Sequence, residues 1–204
     1  MISTSLAAIQ ANDPYCASGI KKLLEALGKS KVDDTEIPLE LVLNTIGLSN
    51  AIWATKGITG HDRAFRLFAC HCASTVLPLF EQAISDDSRP RLAIETAEKF
   101  ARGEISADEL QAFREASIEA AWEAQATQQE IVGKVAWTAH DATNAIASRA
   151  LEHTVVDATS IAWVQLANVS MSAADKAREA AFEVLSMEFR RMCRLDGKYA
   201  TNNQ

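Results

Sequence analysis

The 204-residue chain has little of what breaks or staples a polypeptide: four prolines, eight glycines and four cysteines. Aromatic residues make up only 6% of it. Cys16, Cys70, Cys72 and Cys193 include no C-x-x-C pair and no spacing that resembles a disulfide framework. The glycines stand singly at the edges of helical patterns, so no glycine-rich loop cradles a phosphate. No G-x-S-x-G elbow marks a hydrolase of that kind. No window reaches the roughly 18 continuous apolar residues of a membrane span. Met1 to Gln10 lacks the basic start and the long apolar run of a signal peptide. Alternation of apolar and polar residues persists nowhere, so no strand is expected. Positive charge is also short: 20 basic against 27 acidic residues leave a net charge of −7. Nucleic-acid binding needs a basic surface that displaces counterions, and that class is set aside. The expectation is a reduced, cytoplasmic protein that engages neither membrane nor nucleic acid.

What the chain has is helix. Hydrophobic residues make up 48%, much of it alanine, whose small side chain lets helices pack closely. The length supports one sizeable core, so a single all-helical domain over 1–204 is expected, with 200–204 as a frayed tail. The fold class read from the pattern is all-α, an irregular bundle of about seven to nine helices.

That bundle is organised around the stretch from Gly60 to Gly103. Phe65, Phe68, Cys72, Val76, Leu79 and Ala83 recur at three- and four-residue steps and line one helix face. Arg63, Arg66, Ser74 and Gln82 fall mostly on the other. Pro78 lies inside the pattern; it cannot donate to the Ser74 carbonyl, so a kink is expected between Ser74 and Pro78. Asp86 and Asp87 open a turn, and Pro90 suits the first position of a second helix that Gly103 ends. The short connection predicts antiparallel packing, which crowds Arg63, Glu81, Asp86, Asp87, Arg89 and Arg91 around one hairpin. These six residues are read as an ion-pair network that fixes the turn, or as a charged rim that meets a protein partner.

Elsewhere, Asp13 and Pro14 predict a helix start, and Pro38 another. Ser106 with Glu109 forms a capping-box signature, and Ser172 with Asp175 resembles a second. Leu110, Phe113, Ser117, Ala120, Ala124, Gln128 and Ile131 follow a heptad-like spacing, with Ile118 and Trp122 on an adjoining flank. Gly133 marks a break or a close helix contact. Thr154, Val155 and Val156 weaken helix locally, and a break is placed there.

Three constellations carry candidate chemistry. Cys70-His71-Cys72 has metal-binding residue types, but on a helix the two thiols point about 200° apart and cannot share an ion. His61-Asp62 reads as a helix start. His140-Asp141, with His153 and Asp157 one helical turn apart, suggests a divalent cation held by His140, His153 and Asp157, as in helical His-Asp phosphohydrolases. Trp53, Trp122, Trp137 and Trp163 either close gaps between alanine-rich helices or line an apolar ligand cleft.

The run R-L-F-A-C-H-C-A-S-T-V-L-P-L-F-E, followed by D-D-S-R-P-R-L-A-I-E-T-A-E-K-F-A-R-G-E, resembles the Imm-5-like family of bacterial immunity proteins. The upstream I-P-L-E-L-V-L-N-T-I-G-L-S-N-A-I-W-A segment is similar too, and so are the alanine-rich helices after Glu104. The likeness covers roughly residues 37 to 150 and is strongest from Arg66 to Gly103. It implies an all-helical, non-catalytic protein that protects its producer by binding a cognate toxin domain. It carries no catalytic, metal or cofactor residue with it. On this reading the partner meets exposed acidic residues near helix ends, with Asp86, Asp87 and Glu104 as candidates, around an aromatic or arginine anchor. The alternatives are the metal-dependent phosphohydrolase and a helical ligand-binding or scaffolding domain.

Overall fold

A computed structural model describes residues 1–12, 17–144, 146–167 and 170–200, apart from the side chains of Trp163 and Leu166. Among the described residues it is all-α, with ten α-helices and one small strand pair. The helices are α1 (Leu6–Asn12), α2 (Ala17–Leu27), α3 (Leu39–Ile46), α4 (Leu48–Ala54), α5 (Asp62–Ala83), α6 (Arg89–Ala101), α7 (Ala107–Ala126), α8 (Glu130–Ala142), α9 (Ala147–Ala167) and α10 (Met171–Arg194). Short 3-10 turns follow α4 and α10. The expected helix start at Asp13-Pro14, Cys16, and residues 201–204 of the tail expected at 200–204 lie outside the described residues.

Helix α5 is the axis. Phe65, Phe68, Cys72, Val76 and Phe80 belong to the larger apolar cluster, which also takes Ile161 of α9 and Leu185, Phe189 and Met192 of α10. Cys70, Ala73 and Leu77, on the other side of α5, join Ile94 and Ala97 of α6, Leu110 of α7, and Ala139 and Ala142 of α8. A helix buried on two sides keeps only a narrow solvent face: Ser74 and Gln82 are exposed as expected, but the apolar surface is wider than the single stripe read from the sequence. Arg66, assigned to that solvent face, is only 3% exposed. Its guanidinium donates to the Asn144 carbonyl at 2.6 Å, just past the end of α8, and lies 4.9 Å from the Phe100 ring. A cation at a helix C-terminus meets carbonyls that have no intrahelical donor, which is why a charge is tolerated there. Pro78 sits within α5, which continues to Ala83.

The hairpin ends as its sequence predicts. Gly103 takes φ +74°. Its amide bonds the Phe100 carbonyl at 3.0 Å and the Glu104 amide bonds that of Lys99 at 3.0 Å, the two bonds of a Schellman cap. Ser106 and Glu109 make both halves of the capping box on α7. The α10 cap is instead Ser170, whose hydroxyl accepts from the Ala173 amide. The expected cap at Ser172 therefore sits two residues too late.

Two further expectations fail. Ser3–Ser5 and Glu36–Pro38 pair as antiparallel strands, with Thr4 opposite Ile37. Three residues are too few to show a period of two, so no sequence pattern betrays them. Their role is local: the Ile2 amide donates to the Cys193 carbonyl at 2.7 Å, and Leu39 to Ile2 at 3.0 Å, tying the start of the chain to the end of α10. Helix α9 also runs unbroken through Thr154-Val155-Val156. Thr154 and Val155 are buried there, and the Thr154 hydroxyl bonds the Ala150 carbonyl at 2.7 Å. Packing outweighs a propensity cost of a few tenths of a kcal/mol per residue.

Candidate functional site

The charged corner of the hairpin holds two separate clamps. Arg91 of α6 grips Glu81 of α5 through both guanidinium nitrogens, at 2.6 and 2.7 Å. Arg89 grips Asp87 at 2.9 and 2.8 Å and also reaches Glu123 of α7. Arg89 holds the Asp87 carboxyl below its usual range, so that charge is committed inside the fold. Asp86 is exposed and accepts from the Ser85 hydroxyl at 3.2 Å, its one hydrogen bond among the described residues. Arg63 stands at the opposite end of α5, where it bonds the Ala200 carbonyl. The corner thus ion-pairs four of the six residues expected there, with Asp86 beside them in the turn, plus a Glu123 that nothing in the local sequence announces. Glu104 is exposed beside the Gly103 cap.

The cysteines among the described residues are enclosed. Cys70 and Cys72 face the two different clusters, on opposite sides of α5, and both are fully buried. Burial pushes the Cys70 and Cys193 thiols up to about 12 and Cys72 well above its ordinary value. Thiols held protonated in this way are poor nucleophiles and poor ligands.

His140, His153 and Asp157 do not converge. His140 turns toward α7, where its Nδ1 lies 2.9 Å from the Ser117 hydroxyl. Burial, and then the charge of Arg114, depress it to about 4, so it is neutral at physiological pH. His153 of α9 instead meets Asp141 of α8 at 3.4 Å. Asp157, one turn further along α9, is pushed up to about 6 by burial and then by repulsion from Asp141. Among the described residues no three His, Cys, Asp or Glu side chains are placed to hold a metal ion. The metal set expected from the sequence is therefore divided between two sides of α8.

The described side chains of Trp53, Trp122 and Trp137 do not line one cleft either; that of Trp163 lies outside the described residues. Trp53 of α4 carries Lys56 over its ring at 5.7 Å. Trp122 of α7 and Trp137 of α8 form an edge-to-face pair, centroids 5.0 Å apart at 85°. Trp137 is fixed twice more: its indole N–H donates to the Gln125 side chain at 2.9 Å, and its ring meets His140 at 5.5 Å. Trp122 is 58% exposed, so it fills no gap in the core. Its angular position explains this. Leu110, Ser117, Ala120, Ala121 and Ala124 form the buried side of α7, and Trp122 points away from their mean direction.

These residues share one surface. On α7, Glu115 and Glu119 stand seven and three residues before Trp122 and are exposed. On α8, Glu130, Lys134, Trp137 and Asp141 recur at helical spacing along one line. Asp141 then meets His153, next to Asp157 on α9. The result is a fixed aromatic pair with carboxylates on both sides. Such an arrangement suits contact with another macromolecule better than bond chemistry.

The sequence family described as Imm-5 like putative immunity protein matches residues 59–186. This is more than half of the chain, and the chain belongs to that family. The matched span begins just before α5 and ends within α10, so it contains the hairpin and the paired tryptophans. It leaves out α1 to α4, which the resemblance read from the sequence had partly included, and takes in α9 and much of α10, which that resemblance had not. No curated protein and no solved structure matches the chain.

Proposed function

We propose that this protein neutralises a cognate bacterial toxin in the cytoplasm by binding it directly, without catalysis. Family membership over α5 to α10 is the observation that carries this reading. The charge balance supports it, because an acidic protein attracts a basic toxin such as a nuclease. The division of His140 from His153 and Asp157 weighs against the phosphohydrolase reading. The test is a rescue screen. Fragments of the source genome are induced in host cells with and without this chain, and fragments that are toxic only in its absence are collected. The expected result is rescue from at least one small domain, which then co-purifies with the chain. If the chain, expressed and folded, relieves no toxicity from any fragment, the immunity reading is wrong.

A further inference from the structure

We propose that the outer face of α7 and α8, with Trp122 and Trp137 at its centre, is the surface on which a basic protein partner docks. The inference rests on the immunity reading and adds to it the surface and the chemistry of the partner.

The first argument is the cost of the exposed ring. Trp122 is among the largest apolar side chains in the chain, and 58% of it meets water. Burying it against a partner recovers hydrophobic free energy that folding leaves unused. The second argument is preorganisation. Trp137 is held by Gln125 and His140, and Trp122 rests edge-on against it. Beneath the pair, α7 and α8 approach closely at Gly133, where an added Cβ would lie 3.2 Å from the Gln125 backbone. A ring already fixed loses little freedom on binding, which is what distinguishes an anchor from an incidental contact. A hollow of about 390 Å³, lined in part by Gln129, Gly133, Lys134 and Trp137, opens beside it and offers room for a partner side chain.

The third argument is charge, and it selects the partner. Glu115 and Glu119 share the Trp122 face of α7 and Glu130 and Asp141 the Trp137 line of α8, with Asp157 beside Asp141, against Lys134, His153 and the half-buried Arg114, which reaches the Thr143 hydroxyl at 3.3 Å. Asp141 and Asp157 repel one another; His153 meets Asp141, while Arg114 and Lys134 offset the repulsion only in part. A lysine or arginine from the partner would relieve that repulsion while its stem covers an indole. Two of the other exposed apolar side chains make a useful contrast. Val184 and Met187 on α10 lie among Glu183 and Arg190, where the charges balance and favour no sign of partner.

The experiment uses the full chain and the toxin domain recovered by the rescue screen. Trp122→Ala should weaken binding by about 30-fold or more, as truncation of a central anchor does. Joint reversal of Glu119→Lys and Asp157→Lys should cost about tenfold, mostly in association rate, and flatten the dependence on salt. Met187→Ala should bind like the natural chain. Trp122→Ala within about threefold of the natural chain, with rescue intact, overturns this face and leaves the immunity reading standing. Absence of rescue by the natural chain overturns that reading instead. A second measurement needs no partner. The Trp122 fluorescence, obtained as the difference between the natural chain and Trp122→Phe, should be quenched relatively more by caesium than by iodide when each is scaled to its quenching of a free, uncharged indole. A scaled iodide quenching equal to or above that of caesium would show that the carboxylates do not set the field there, and would overturn the charge argument.

Discussion

Asp157→Asn should make this protein more stable at neutral pH and leave it unchanged in acid. Asp157 is half-buried on α9 beside Asp141 of α8, and among the described residues no donor reaches its carboxylate. Burial first, and then the nearby Asp141, push its pKa from 3.8 up to about 6. The folded chain therefore keeps a proton between pH 4 and 6 that the unfolded chain has released. Stability from this group falls as pH rises through that window, and the penalty is complete above pH 6. Two units correspond to about 3 kcal/mol at about 1.36 kcal/mol each. Solvent screening and coupling to Asp141 reduce this, so roughly 1–3 kcal/mol is expected. For a chain of this size each kcal/mol moves the midpoint by about 2–4 °C. Asp157→Asn should thus melt roughly 3–9 °C higher than the natural chain at pH 7.5, with the gap closed at pH 4. Paired thermal scans at the two pH values decide the matter. An asparagine variant that melts lower at pH 7.5, or by the same margin at both, would show that no repelled, half-buried carboxylate lies there.

Three further perturbations test the scaffold beneath the docking face. Arg66→Ala should cost about 2–4 kcal/mol in urea unfolding, because a nearly buried guanidinium satisfies the Asn144 carbonyl past the end of α8; Arg66→Lys should recover only part of it, since an ammonium lacks the planar fork that stacks on Phe100. Gly133→Val should cost about 1–3 kcal/mol by forcing α7 and α8 apart at Gln125. The same variant should disturb the Trp122–Trp137 pair, read as a change in the near-ultraviolet circular dichroism of the indoles. Ser106→Ala should cost about 1 kcal/mol by removing the α7 cap, with the tryptophan signal at 25 °C unchanged.

Much of the scaffold was legible because its boundaries are set by local chemistry. A proline at a helix start, a glycine that adopts a positive φ and a serine facing a glutamate three residues on are written in adjacent positions. The hairpin and the capping box follow from them. What was not legible depends on neighbours remote in sequence. Arg66 looks like a surface residue until α8 ends against it. The Thr-Val-Val run of α9 looks like a break until it is buried. Glu123 looks like any helix glutamate until Arg89 arrives from α6.

Trp122 is the instructive case, because its sequence signal existed and was outweighed. The stripe from Leu110 through Ser117 to Ala124 already assigned the core to other positions of α7 and left Trp122 on a flank. The expectation that a tryptophan fills a gap between small residues pulled it inward. Periodicity, which is geometric, should prevail over residue type, which is only a preference. A large apolar side chain that its own helix turns outward costs solubility and contributes little to the fold. The same is expected of Asp157, whose raised pKa should lower stability at neutral pH where an asparagine would not. Two such features lie on one surface, the family spans both, and the perturbation that removes each is predicted to harm binding while sparing or improving the fold. A variant carrying Asp157→Asn that becomes more stable yet protects cells less well from the rescued toxin would be the direct sign that this face is kept for a partner rather than for the core.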